Sequence, residues 1–134
     1  MSKSLIQTAY TNSQALTVND TIPLGSVIRR YGCNLTLNGN SVLAKGEGYF
    51  TITGAVTLAP EAVGDVSIAA FVNGVQIPGA VSTGSVSTAD NSVTLPIVTT
   101  IRKGCCCTDD SVITLELLEG ASTVSNVSLR VEKA

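Results

Sequence analysis

Three consecutive cysteines, Cys105, Cys106 and Cys107, are the residues of this 134-residue chain whose types most directly suggest chemistry. They lie in the segment RKGCCCTDD, which ends on Asp109 and Asp110. The chain has one further cysteine, Cys33, and no histidine. Because thiolates bind metals and form disulfides, the segment could be a metal site, a redox device, a cross-link or a simple connection.

The spacing of the cysteines limits these alternatives. Zinc sites normally separate two cysteine ligands by two to four residues, so that both sulfurs reach one tetrahedral centre. Consecutive residues of an extended chain point to opposite sides, so at most Cys105 and Cys107 converge. Three copies of the segment meeting near an axis would, however, offer enough thiolates for one metal. Four hypotheses stay open: a metal at Cys105–Cys107, a disulfide between subunits or from Cys33 to the run, a strained vicinal disulfide, and free thiols in a loop.

The carboxylates of Asp109 and Asp110 give only a weak signal for calcium, because calcium takes six to eight oxygen ligands. An adjacent pair also faces opposite sides in a strand, or forms a turn or cap in a loop. Catalysis lacks its usual groups, since there is no histidine to act as a base near neutral pH. The chain also contains no G-x-S-x-G, P-loop or G-x-G-x-x-G motif. We therefore predict a protein that is not an enzyme and that has no organic cofactor.

Composition indicates a sheet protein. Charged residues make up 13% of the chain, aromatic residues 4% and hydrophobic residues 44%, and the net charge is −2. Apart from Arg29–Arg30 and Arg102–Lys103, the basic residues are scattered along the sequence, which argues against a nucleic-acid partner. No apolar stretch is long enough to span a membrane, and MSKSLIQTAY contains no signal-peptide core. We expect synthesis in the cytoplasm and no membrane association.

Apolar and polar residues alternate with a period of two, which predicts β-strands and almost no helix. In YFTITGAVTL, for example, Phe50, Ile52 and Val56 share one face. Asn73–Gly74 is a strong hairpin signal. The pattern predicts one all-β domain over residues 1–134, an antiparallel β-sandwich. The predicted strands are 4–10, 15–18, 26–30, 34–38, 41–44, 47–58, 64–72, 75–80, 92–101, 111–118 and 123–132.

The residues opposite the core stripes are Thr, Ala, Ser and Val, whereas a monomeric sandwich usually carries charge on its outer faces. Neutral outer faces on strands 47–58 and 64–72 fit better against other copies of the same chain. We accordingly expect contacts between subunits at Tyr49, Thr51, Thr53 and Phe71.

Five short motifs, in this order and spacing, resemble the bacterial and phage branch of the tumour necrosis factor and complement globular-head superfamily. The similarity extends to the C-terminal domains of collagen-like spore-surface glycoproteins and to short proteins of Gram-positive phages and prophages, and it covers nearly the whole chain. The matching residues are Ile22–Pro23–Leu24–Gly25, Gly48–Tyr49–Phe50, Asn73–Gly74–Val75, Ile77–Pro78–Gly79–Ala80, and Val127, Leu129, Val131, Glu132 and Lys133.

The resemblance implies a TNF-like jelly roll of about ten strands that assembles as a homotrimer. It also implies that the Gly-Tyr-Phe strand lies near the threefold axis, and that calcium near the trimer apex is a further alternative for Asp109 and Asp110. Because the chain has no Gly-X-Y stalk, the expected role is a phage virion structural protein, either a head decoration or fibre or an adhesive tail tip. Its partners would be other virion proteins and a host surface glycan or protein. Two alternatives stay open: a bacterial cell-surface or spore-coat adhesin, and a trimer that binds a glycan or small ligand.

Overall fold

The computed structural model describes residues 4–103 and 111–133, with Lys103 described by its backbone alone. These residues form eleven strands and no helix. The described part of the chain therefore contains no helix that is long and apolar enough to cross a membrane. The strands are β1 (Ser4–Tyr10), β2 (Gln14–Leu16), β3 (Ser26–Tyr31), β4 (Leu35–Asn38), β5 (Ser41–Ala44), β6 (Gly48–Pro60), β7 (Gly64–Val72), β8 (Val75–Val86), β9 (Val93–Lys103), β10 (Ser111–Glu119) and β11 (Ser122–Lys133).

The strands form two sheets whose neighbouring strands are all antiparallel. Sheet 1 has the order β3-β1-β11-β6-β9, and the short β2 also pairs with β11. Sheet 2 has the order β4-β5-β10-β7-β8. Strands adjacent in space are mostly distant in sequence, as in β1–β11 and β6–β11. The predicted all-β, antiparallel sandwich is therefore confirmed.

The core lies between the two sheets because alternate side chains of each strand point inward. On β6, Phe50, Ile52 and Val56 are fully buried, as the alternation predicts. Sheet 2 contributes Ile113 and Leu115 of β10, which are also fully buried. Each buried leucine or isoleucine side chain contributes about 1.5–3 kcal/mol relative to exposure, so this layer supplies the main stabilisation.

The sandwich has two distinct ends. At the terminal end the first and last described residues meet, because Ser4 pairs with Lys133 and Lys133 with Phe50. At the distal end, Ser122 pairs with both Leu16 and Pro60. Phe50 and Pro60 are ten residue steps apart along β6, which corresponds to about 33 Å of extended strand.

The hairpin predicted at Asn73–Gly74 joins β7 to β8, and both residues have positive φ, 52° and 80°. Pro96 lies in β9, which is an edge strand of sheet 1, as the missing N–H of proline requires. The prediction ended β8 at residue 80, but the strand continues to Val86. The glycines and serines of this stretch carry little apolar periodicity, yet they pair along β7 as far as Gly64.

The segment before β3 continues sheet 2 beyond β5. The backbone N–H groups of Asn19 and Ile22 donate to Leu117 O and Leu115 O at 2.7 and 2.8 Å. This attachment holds Ile22 and Leu24 fully buried, which explains the apolar part of the Ile-Pro-Leu-Gly motif.

Candidate functional site

The outward face of sheet 1, taken without the edge strand β3 that carries Arg29, is a regular surface of four neighbouring strands. It consists of the side chains that alternate with the core residues of β1, β11, β6 and β9. We refer to these residues as the sheet 1 face: Leu5, Gln7, Ala9, Ser128, Arg130, Glu132, Tyr49, Thr51, Thr53, Ala55, Thr57, Thr94, Pro96, Val98, Thr100 and Arg102.

Few charges lie on the sheet 1 face. Arg130 Nη2 donates to Glu132 Oε1 at 3.0 Å, so these two charges neutralise each other within the face. The third charged residue of the sheet 1 face is Arg102, at the terminal end. The rest of the face consists mainly of small neutral side chains. Val98, in the middle of the edge strand β9, is 68% exposed. A solvated sheet face normally carries dispersed Lys and Glu, so this composition is typical of a surface covered by protein.

The edge of the sheet beside this face is also uncharged. β9 is an edge strand of sheet 1 and contains no charged residue from Val93 to Ile101. Long edge strands are usually protected by lysine or by a covering element, because their free N–H and C=O groups pair with other chains. β8 of sheet 2 runs beside β9. A Cβ at Gly84 would lie 2.9 Å from Leu95 Cδ2, so glycine permits the close approach of the two sheets there.

The structure divides the four residues predicted to contact other subunits. Tyr49, Thr51 and Thr53 all point outward from β6 on the sheet 1 face. Phe71 points outward from sheet 2, where it is half-buried opposite Thr114 and Gln76. The neutral faces of 47–58 and 64–72 therefore lie on opposite sides of the molecule, and no single flat contact includes both.

An aromatic and basic corner at the terminal end of the face was not predicted from sequence. The guanidinium carbon of Arg102 lies 6.0 Å from the ring centroid of Tyr49, within the range of a cation–π contact. Tyr49 is 55% exposed and Tyr31 on β3 is 65% exposed. The pairing of Tyr49 with Arg102 depends on the β6–β9 register, which sequence alternation does not specify.

Cys33 is free and exposed in the connection between β3 and β4. Its neighbour Asn34 anchors this connection: Asn34 Oδ1 accepts from Ser4 Oγ at 2.9 Å, and Asn34 Nδ2 donates to Lys45 O at 3.0 Å. Leu35 pairs with Ala44, and Ala44 with Ser111. Cys33 and the first described residue after the cysteine-rich segment therefore lie at the same, terminal end.

The other predicted metal and disulfide residues, Cys105, Cys106, Cys107, Asp109 and Asp110, lie outside the described residues. Within residues 4–103 and 111–133, no group of three or more His, Cys, Asp or Glu side chains could hold a metal ion. The metal, disulfide and free-thiol hypotheses therefore stay predictions.

No protein-family model matches the chain, and no curated protein matches it by sequence. Solved structures do match it over nearly its whole length. Murine APRIL is similar with a TM-score of 0.75 at 14% identity, over 99% of this chain and 100% of that chain. The globular domain of zebrafish complement 1qA has a TM-score of 0.69 at 5% identity, over 94% of each chain. The PRD1 vertex protein P5 has a TM-score of 0.60 at 12% identity, over 97% of this chain and 96% of that chain.

These similarities establish a TNF-like jelly-roll fold, the architecture that the sequence motifs indicated. The similar structures include murine APRIL, a complement 1qA globular domain and the PRD1 vertex protein P5, and at 5–14% identity the likeness concerns the fold alone.

Proposed function

We propose that the chain is a non-enzymatic structural protein that forms a homotrimer and mediates multivalent attachment as part of a phage virion. The observation that carries the proposal is the neutral sheet 1 face beside the uncharged edge strand β9. Three identical weak binding surfaces on a rigid trimer would give strong attachment through effective concentration, without a tight single site.

A cyclic trimer requires two different complementary patches on each subunit, because its contacts are head-to-tail around the axis. The sheet 1 face and the β8–β9 side meet this requirement. Two exposed valines flank the β8–β9 side: Val98 is 68% exposed on the outward face of sheet 1, and Val81 is 42% exposed on the outward face of sheet 2. In the proposed trimer, the β8–β9 side of one subunit packs on the sheet 1 face of the next, which covers the free β9 edge and these valines.

The virion assignment is supported by the similarity to the PRD1 vertex protein P5, and the absence of histidine and of catalytic motifs supports a role without catalysis. A trimer that binds glycans is the second candidate. It is favoured by the exposed rings of Tyr31 and Tyr49, since carbohydrate sites usually offer an aromatic surface. Loss of binding on a glycan array after Tyr31→Ala, with the oligomer mass unchanged, is the result that this second function predicts.

The trimer is tested by placing a charge in the proposed contact. Val98→Arg would bury three unpaired guanidinium groups, which costs several kcal/mol, and we expect its mass by light scattering to fall from three chains to one. Asn38→Arg is the matched control, because it adds the same charge at an exposed position of β4 and should leave the trimer intact. A Val98→Arg protein that remains folded by circular dichroism and keeps the parental mass would show that β9 is not in the interface. Detection of the protein in purified phage particles by mass spectrometry tests the virion assignment, and its absence from them would contradict it.

A further inference from the structure

The fold separates charges that are scattered along the sequence. Every described lysine and arginine lies in the half of the sandwich nearer the terminal end. The distal half carries only carboxylates among its described charged side chains. In the terminal half the cations are Arg29, Arg30, Lys45, Arg102, Arg130 and Lys133, accompanied by Glu47 and Glu132. The carboxylates at the distal end are Asp20, Glu61, Asp65, Asp90 and Glu119, whereas the half-buried Glu116 lies near the middle of β10.

The distal carboxylates come from separate elements that the topology brings to one end. Glu61 follows β6, Asp65 is the exposed second residue of β7, and Glu119 ends β10. Asp90 is held there because its N–H donates to Pro60 O at 2.9 Å. Asp20 accepts from Thr17 N at 2.9 Å in the preceding turn. All five side chains are exposed, so their charge faces outward.

The two charged ends cannot neutralise each other within one molecule. They are about 33 Å apart along β6, whereas the screening length is about 8 Å at physiological ionic strength. The net charge of −2 leaves little overall repulsion between copies. A second molecule of the same chain can therefore bring opposite charges together only in a head-to-tail arrangement.

Exposed apolar side chains accompany the charges at both ends. Val63 and Val18 are 64% and 45% exposed beside the distal carboxylates. At the terminal end, Val75 is 67% exposed directly after the β7–β8 turn, and Tyr49 is 55% exposed. Apolar groups surrounded by charges of opposite sign on two surfaces form a matched pair for docking.

We propose that the two ends dock on each other, so that the acidic distal end of one copy binds the basic terminal end of a second copy. The contact is heterologous and leaves one free end on each side, so it generates open stacks in place of a closed oligomer. It uses the ends of the sandwich and shares with the sheet 1 face only the residues at the terminal end of that face, such as Tyr49 and Arg102. The contact does not depend on the proposed trimer.

A charge-swap experiment on the full chain tests this contact. One variant, Glu61→Lys with Glu119→Lys, reduces the summed charge of the five exposed distal carboxylates from −5 to −1. A second, Lys45→Glu with Arg102→Glu, makes the terminal end more acidic. We expect the parent to form species larger than its basic oligomer at about 20 mM NaCl, and association to weaken by at least about tenfold at 500 mM NaCl. Each variant alone should fail to form these larger species. An equimolar mixture should form pairs, because the unchanged distal end of the second variant can bind the unchanged terminal end of the first.

Recovery on mixing shows that both variants are folded and that charge complementarity between the ends drives the association. Glu116→Lys is the control: it reverses a charge in the middle of the outward face of sheet 2 and should stack like the parent. Parent protein whose sedimentation coefficient is the same at both salt concentrations would overturn the proposal, as would a mixture that fails to associate. The two contacts are tested separately by these measurements. A trimer that does not stack would overturn the contact between the ends, whereas a monomer that stacks would overturn only the trimer.

Discussion

Thr8 places a hydroxyl group in the apolar core. Its side chain is fully buried on β1, and its Oγ1 has no hydrogen-bond partner among the described residues. A buried hydroxyl without a partner costs about 1–3 kcal/mol relative to a satisfied one. The predicted strand 4–10 includes position 8, but the sequence could not show that the hydroxyl would be buried without an acceptor.

Replacing the hydroxyl by a methyl group should therefore stabilise the protein. We expect Thr8→Val to raise the free energy of unfolding by about 1 kcal/mol, measured by denaturant titration with an unchanged slope. Thr57→Val is the matched control, because Thr57 Oγ1 already pairs with Thr94 Oγ1 at 2.9 Å and its loss should give no gain. Destabilisation by Thr8→Val would show that the hydroxyl is satisfied in solution.

Gly25 illustrates a residue whose requirement is visible only in the fold. Its φ is 78°, and a Cβ there would lie 2.0 Å from Ala9 O. The motif Ile-Pro-Leu-Gly thus combines three buried side chains with a close backbone approach to β1. The motif was singled out by its resemblance to the superfamily, and the contact with Ala9 supplies the physical reason for its glycine.

The strands themselves were largely predictable, because a half-buried strand must alternate apolar and polar residues. Strands β1, β5 and β7 begin and end where the alternation predicts. The end of β8 was missed because Gly79 and Gly84 replace side chains that would mark its faces. The order of strands in the sheets, and with it the position of Phe71 on sheet 2, depends on pairing between distant segments that periodicity does not encode.

The connection between β3 and β4 gives the thiol hypotheses a direct test. Because Cys33 is exposed, we expect iodoacetamide to modify it in the native protein without reductant. Trypsin separates Cys33, in peptide 31–45, from Cys105–Cys107, in peptide 104–130, so mass spectrometry reports each independently. Recovery of the two peptides joined, and released only by reductant, would establish the disulfide instead.

The whole molecule combines the mostly neutral sheet 1 face with two oppositely charged ends, although its net charge is only −2. Neither property follows from composition, because scattered lysines and arginines become neighbours only after the chain folds. The sheet 1 face is the basis of the proposed trimer, and the charged ends are the basis of the proposed stacking. The two contacts should respond differently to salt, since apolar burial is little affected by the screening that weakens exposed charge pairs.

The most direct test of the trimer is the mass of the purified full chain by sedimentation equilibrium at about 500 mM NaCl, where stacking through the charged ends should be weakened. The account predicts three times the chain mass of 13.7 kDa, about 41 kDa, independent of protein concentration over the measured range. A mass of 13.7 kDa across that range would contradict it.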